Sequence, residues 1–257
     1  MHIILTTKKD IKIILISIVA VVASFVIFLC IYKSNIGVFL GNNKKLPIYN
    51  VDTSDKKIAI TFDSSWGNDN TLKLLDILDK YNAKATFFLI GRWCDEYPKE
   101  TKEISKRGNE IGNHSNKHPD MTNMTKSQIE DDIKKADEKI FALTGKKTEI
   151  FRCPSGSYNN SVIEAVEKTN HKCIQWDVDS IDWKEQGKEI EYKRVISKVK
   201  PGSIILFHNN AKYTPENLDK ILKKLKGDGY TFVTVSGLLY KNNYYIDYNG
   251  KQIKITY

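Results

Sequence analysis

From residue 57 onward the apolar positions switch repeatedly between the two secondary-structure periods. KIAITF (57–62) is a β-branched run that predicts a buried strand, TLKLLDILDKY (71–81) has helical spacing, and KATFFLI (84–90) is strand-like again. A helix is expected around 97–107, followed by the short EIGNH segment (110–114). Residues 125–142 predict a long amphipathic helix, with Thr125 as N-cap and Gln128 three residues later. EIFR (149–152) and KCIQWDV (172–178) predict strands on either side of a helix from about Ser161 to Thr169. A helix near 189–199 leads through Pro201-Gly202 into the strand SIILFH (203–208). A last helix at 215–226 precedes the strand YTFVTV (230–235).

Strands that alternate with helices imply parallel strands joined by right-handed crossovers. About seven such units point to a closed or nearly closed α/β barrel more than to an open sheet. The tail YYIDYNGKQIKITY (244–257) alternates around Asn249-Gly250, which is a hairpin signal.

The N-terminal pattern differs in kind. Residues 13–32, IILISIVAVVASFVIFLCIY, carry no charge and no proline. Twenty helical residues at about 1.5 Å each cover the roughly 30 Å core of a bilayer, which predicts a transmembrane helix. Ala20 and Ala23 sit inside the apolar run, so an uncleaved anchor is expected over a signal peptide. Lys8, Lys9 and Lys12 precede the span while Lys33 alone follows it closely, which places the N-terminus inside and the bulk of the chain outside. The expected organisation is a cytoplasmic tip and anchor (1–33), a linker (34–55), a catalytic domain (56–240) and a C-terminal β-hairpin (241–257).

Charge adds little. The net charge is +9 over 257 residues, and +3 of it belongs to residues 1–33. A basic exterior suits anionic wall polymers or a membrane surface, but Lys is abundant throughout. No arginine-rich or aromatic-interleaved patch points to nucleic acid. Beyond Cys30 in the span, Cys94, Cys153 and Cys173 show no CxxC spacing; they allow one disulfide or a set of free thiols.

The candidate chemistry lies where the polar residues fall. Asp63, His114, Arg152, Asp179 and His208 all sit at or just beyond the C-terminal ends of predicted strands, the rim where barrel-like α/β folds collect their ligands. In GNHSNKHPD (112–120) the four-residue spacing of His114 and His118 would put both imidazoles on one side of a helical turn, a pair suited to zinc and related divalent metals. In FRCPSGSYN (151–159), Arg152 is either exposed beside a rigid turn or a bidentate clamp on a carboxylate. WDVDSIDW (176–183) places three carboxylates within six residues between two tryptophans, which fits a sugar-stacking groove. Asp179 and His208 are expected to pair, the carboxylate favouring the protonated ring.

TFDSSWG, HSNKHPD, RCPSG, DSIDW and ILFH occur in that order over residues 61–208. Together they resemble the five motifs of polysaccharide deacetylases, the nodulation-protein-B homology domain of carbohydrate esterase family four. The resemblance implies a distorted (β/α) barrel and metal-dependent N-deacetylation of acetylated amino sugars. It assigns Asp63 as general base, His114 and His118 as metal ligands, and Arg152 as the arginine holding the base. It also implies Asp179 as the carboxylate orienting the general acid His208, the Ser155 backbone N–H as oxyanion donor, and Leu206 and Trp183 as walls of the acetyl pocket. The implied metal is zinc first, with cobalt, manganese or nickel as alternatives.

One departure stands out. The family usually reads TFDDG, its second aspartate completing the metal triad, whereas Ser64 stands at that place here. Asp69 or water is left to fill it, and weaker metal binding is expected. The TFDxxWG-type opening and the short anchor resemble members associated with spore formation. The expectation is therefore a monomeric, single-pass membrane hydrolase facing the cell exterior or the forespore intermembrane space, acting on peptidoglycan. The alternatives are a catalytically weak wall-binding protein and an O-acetyl esterase.

Overall fold

The alternating apolar runs become strands packed beneath amphipathic helices in a computed structural model that describes residues 16–27 and 44–256. In chain order these are β1 (Asn50–Val51), β2 (Lys57–Ser64), α1 (Thr71–Lys80), β3 (Ala85–Leu89), α2 (Gly91–Glu96), α3 (Pro98–Lys106) and β4 (Glu110–Asn113). Next come α4 (Lys126–Thr144), β5 (Ile150–Phe151), α5 (Asn160–Lys168), β6 (Lys172–Cys173), β7 (Val178–Asp179), α6 (Lys188–Ile196) and β8 (Ile204–His208). The chain ends with α7 (Thr214–Gly227), β9 (Thr231–Val233), α8 (Val235–Leu238), β10 (Tyr244–Ile246) and β11 (Lys251–Lys254). Residues 16–27, inside the expected span, are helical. No helix among the described residues is long and apolar enough to cross a membrane; the rest of that span and the stretch 34–43 lie outside them.

The main sheet runs β6-β5-β4-β3-β2-β8-β7, with β9 pairing beside the start of β2. Every strand pair in it is parallel. The result is a half-barrel of parallel strands, and the ladder does not close as expected. KCIQWDV, read as one strand, breaks into β6 and β7, which form the two opposite edges. Ile48 causes the break: its N–H donates to the Cys173 carbonyl and its own carbonyl accepts from Gln175 N–H. Residues 48–51, expected to be linker, are therefore built into the fold. Ile48 and Val51 are each only 2% exposed, and β1 pairs in parallel with β11 of the C-terminal hairpin. Gly202 permits this approach, since a Cβ there would stand 1.8 Å from the Val51 carbonyl oxygen.

The two-residue period of β2 divides its side chains between the two faces of the sheet. Ile58, Ile60 and Phe62 point to the helices, and join Leu74, Leu75 and Leu78 of α1 and Leu218, Ile221 and Leu222 of α7 in one buried cluster. Phe62 stacks on Phe87 at 4.8 Å and meets Phe207 at 5.9 Å. Truncating a buried phenylalanine of this kind typically costs about 3–5 kcal/mol. The intervening residues Ala59, Thr61 and Asp63 take the other face, which puts a carboxylate at the rim.

Candidate active site

Asp63 sits beside His208 by strand register, because β2 and β8 pair residue for residue up to this point. It is 7% exposed. Arg152, which follows β5, is completely buried and extends across the inner face. Its Nη1 donates to Asp63 Oδ1 at 2.7 Å and to Thr61 Oγ1 at 2.9 Å, while Nη2 donates to the Gln175 carbonyl at 3.1 Å. The Phe88 ring lies 4.0 Å from the guanidinium carbon. The expected bidentate clamp is thus a single bond, since the second nitrogen is turned to a backbone carbonyl. Asp63 Oδ2 is left 3.5 Å from His114 Nε2. Burial pushes the Asp63 carboxyl up, but the Arg152 charge, with His114 and His208 adding, holds it below its ordinary value.

His114 follows β4 and is 1% exposed. Its Nδ1 lies 2.8 Å from the Arg152 carbonyl, an acceptor, so that nitrogen carries the proton and Nε2 keeps its lone pair. Burial drives the ring's pKa down to about 4, which keeps it neutral at pH 7. A backbone carbonyl fixing one nitrogen while the other is held ready is the arrangement of metal-ligating histidines. The two rings do converge, at 5.0 Å between centroids, but not through a helical turn. Ser115 (φ 76°) and His118 (φ 60°) are left-handed, and the loop is held by Ser115 N–H on Asn113 Oδ1 and His118 N–H on Ser115 Oγ, both 2.8 Å. Burial also lowers the His118 pKa.

The carboxylate behind His208 is Asp182 and not Asp179. Asp182 Oδ1 accepts from His208 Nδ1 at 2.7 Å, and Oδ2 accepts from His208 N–H at 2.8 Å and Thr214 Oγ1 at 2.7 Å. Asp179 instead accepts from Ile181 N–H in its own loop. The physical reason is Ile181, a β-branched residue at φ 54°, a conformation that costs of the order of 1–3 kcal/mol. It bends the chain back so that Asp182, fully buried, aims at the ring. Burial lowers the His208 pKa, but the Asp182 hydrogen bond and charge, with Asp63 and Asp179 adding, raise it above the ordinary imidazole value overall. A carboxylate base and a ring biased to imidazolium therefore face one cavity.

That cavity, of about 440 Å³, is lined by Asp63, His114, His118 and His208 together with Ser155, Leu206 and Trp183. Arg152 reaches it only through Asp63, and Asp179 is not brought to its wall. Ser155 has φ 54° in the turn after Arg152. Trp66 and Trp176 also line the space; of these, Trp66 had no signal beyond its position in the opening motif.

His114 and His118 are the side chains that suit a divalent cation, with Asp63 Oδ2 beside them. A third protein ligand is absent among the described residues. Ser64 is fully buried, and its Oγ has no hydrogen-bond partner among them. Asp69 is exposed and does not line the cavity. Among the described residues no three His, Cys, Asp or Glu side chains form a metal-holding group. The donors fit an ion held by two imidazoles, not a complete protein cage.

Comparison with known proteins places these residues in context. The profile of the family described as polysaccharide deacetylase matches residues 50–174. The peptidoglycan-N-acetylmuramic acid deacetylase PdaA of Bacillus subtilis is 34% identical over 194 residues, 74% of this chain and 74% of that protein. The uncharacterized Bacillus subtilis protein YlxY is 37% identical over 193 residues, 75% of this chain but 60% of that protein. Among solved structures, a CE4 family pseudoenzyme from Bacillus anthracis superposes with TM-score 0.73 at 35% identity, covering 82% of this chain and 70% of that one. A mutant of that protein described as having restored enzymatic activity superposes equally, with TM-score 0.73.

Proposed function

The chain belongs to the polysaccharide deacetylase family, and on that premise we propose that it removes N-acetyl groups from the amino sugars of peptidoglycan. The observation that carries this reading is the pair at the cavity wall, Asp63 held anionic by Arg152 and His208 biased toward its imidazolium form by Asp182. Amide hydrolysis needs both states at once. The base takes a proton from the attacking water, and the amide nitrogen leaves poorly unless an acid protonates it. Asp63 serves as base and His208, through Nε2, as acid. The Ser155 backbone N–H donates to the oxyanion that develops on the carbonyl, and Leu206 and Trp183 enclose the acetyl methyl. His114 and His118 would hold a divalent cation, zinc for preference, which would supply polarisation of the carbonyl and a lowered pKa of water.

The apolar run 13–32, with Lys8, Lys9 and Lys12 before it, supports a second element, a single-pass membrane anchor with the hydrolase outside the cell. The test is acetate release from muropeptides and N-acetylglucosamine oligomers by the full chain loaded with zinc. Absence of acetate from every such glycan at saturating metal contradicts the reading. Ser64 favours one rival, a wall-glycan-binding protein without turnover. It predicts that zinc at millimolar concentration leaves the two imidazoles unligated, whereas the deacetylase reading predicts that they bind it.

A further inference from the structure

Trp66 is a large apolar side chain left 55% exposed at the rim of the cavity. Exposed tryptophans are common on loops that move, but the loop bearing this one is pinned. The carbonyl of the next residue, Gly67, accepts two hydrogen bonds, from the buried Trp93 indole N–H at 2.7 Å and from Asn209 Nδ2 at 2.9 Å. Gly67 has φ +62°, a left-handed conformation that favours glycine at this turn. The inner edge of the Trp66 indole rests against the His118 ring, 5.0 Å between centroids at 60°. A rigid frame therefore holds an apolar plate open to solvent, beside the imidazole pair.

Trp183, also at the rim and 59% exposed, and Trp176 line the same space, so three of the chain's four tryptophans surround one opening. A pyranose ring has a C–H face that is apolar and an edge of hydroxyls that is not. An indole plate covers the first and leaves the second in water, which is how aromatic walls fix a ligand with few polar contacts.

We propose that Trp66 is a stacking platform for a sugar ring adjacent to the one whose acetyl group enters the cavity, so that the site selects polymer over free sugar. The proposal rests on the deacetylase reading for its ligand class, N-acetylated amino-sugar chains. Trp66 is a positioning residue for the polymer and takes no part in proton transfer.

The test measures affinity of the full chain for the N-acetylglucosamine monomer and tetramer by calorimetry, and acetate release in a separate assay. In Trp66→Ala the tetramer-over-monomer preference falls about tenfold, the size of one well-formed aromatic contact, and KM for the tetramer rises more than kcat falls. Trp66→Phe restores most of the preference, and zinc content of the variants, read by metal analysis, separates stacking from damage at His118. An intact preference in Trp66→Ala, an equal loss for monomer and tetramer, or wild-type binding of neither sugar overturns the platform. Length-dependent binding through Trp66 without acetate release keeps the platform and contradicts the deacetylase reading instead.

Discussion

Asp182 and His208 are joined twice, through Nδ1 of the ring at 2.7 Å and through the His208 backbone N–H at 2.8 Å. One carboxylate thus sets both where the ring stands and how readily it keeps its proton. Asp182→Asn keeps the shape but removes the charge that raises the His208 pKa. The expected result is a kcat loss on the order of 10²-fold, with the basic limb of the pH–rate profile moved to lower pH. Asp179→Asn, whose side chain caps its own loop, is expected to do much less. A larger loss in Asp179→Asn would reverse the assignment.

His208 also links stability to pH. Its folded pKa lies above the ordinary value of 6.5, so the folded chain holds the proton more tightly than the unfolded one. The stability this contributes is fully present below about pH 6.5 and is lost as pH rises through the folded value. In urea unfolding, the advantage of wild type over His208→Gln should shrink as the pH is raised above about 6.5. A constant or widening gap would contradict the raised pKa.

Arg152 carries structure as well as chemistry. It is buried with a single carboxylate partner, and removing one member of such a pair leaves an uncompensated charge. Arg152→Ala is expected to cost about 3–5 kcal/mol, and adding Asp63→Asn to it should return part of that loss. Chemical denaturation of the single and double variants measures the coupling; strict additivity would mean that the two groups do not interact.

Ser64 offers a gain-of-binding test. Its hydroxyl is buried and unpartnered among the described residues, next in sequence to Asp63, which stands beside the imidazole pair. Ser64→Asp supplies a charged donor and should tighten zinc by at least about tenfold, or 1.4 kcal/mol, in competition with a chelator. Unchanged affinity would show that position 64 does not face the ion.

How far the sequence carried this picture depended on the range of the determining contacts. The strand ends were legible because the β2 period alone puts Ala59, Thr61 and Asp63 on one face, and because His208 ends an apolar run. Thr125 and Gln128 form the capping box they predict, each bonded to the other's backbone. Asp182 was not separable from Asp179, three residues away, because the choice is made by one left-handed residue, Ile181. The break between β6 and β7 was hidden for a similar reason: Ile48, more than 120 residues earlier, takes the backbone bonds of Cys173 and Gln175. Trp66 carries no signal beyond its place in the opening motif; its setting emerges only once Trp93 and Asn209 are seen to clamp its neighbour.

The most direct measurement compares wild type with His208→Ala in samples whose zinc content is determined alongside acetate release from N-acetylated peptidoglycan fragments. Acetate from the wild type, almost none from the variant, and equal zinc in both is the expected result. No acetate from zinc-loaded wild type, or undiminished turnover without the His208 ring, would contradict a hydrolase that works through Asp63 and His208.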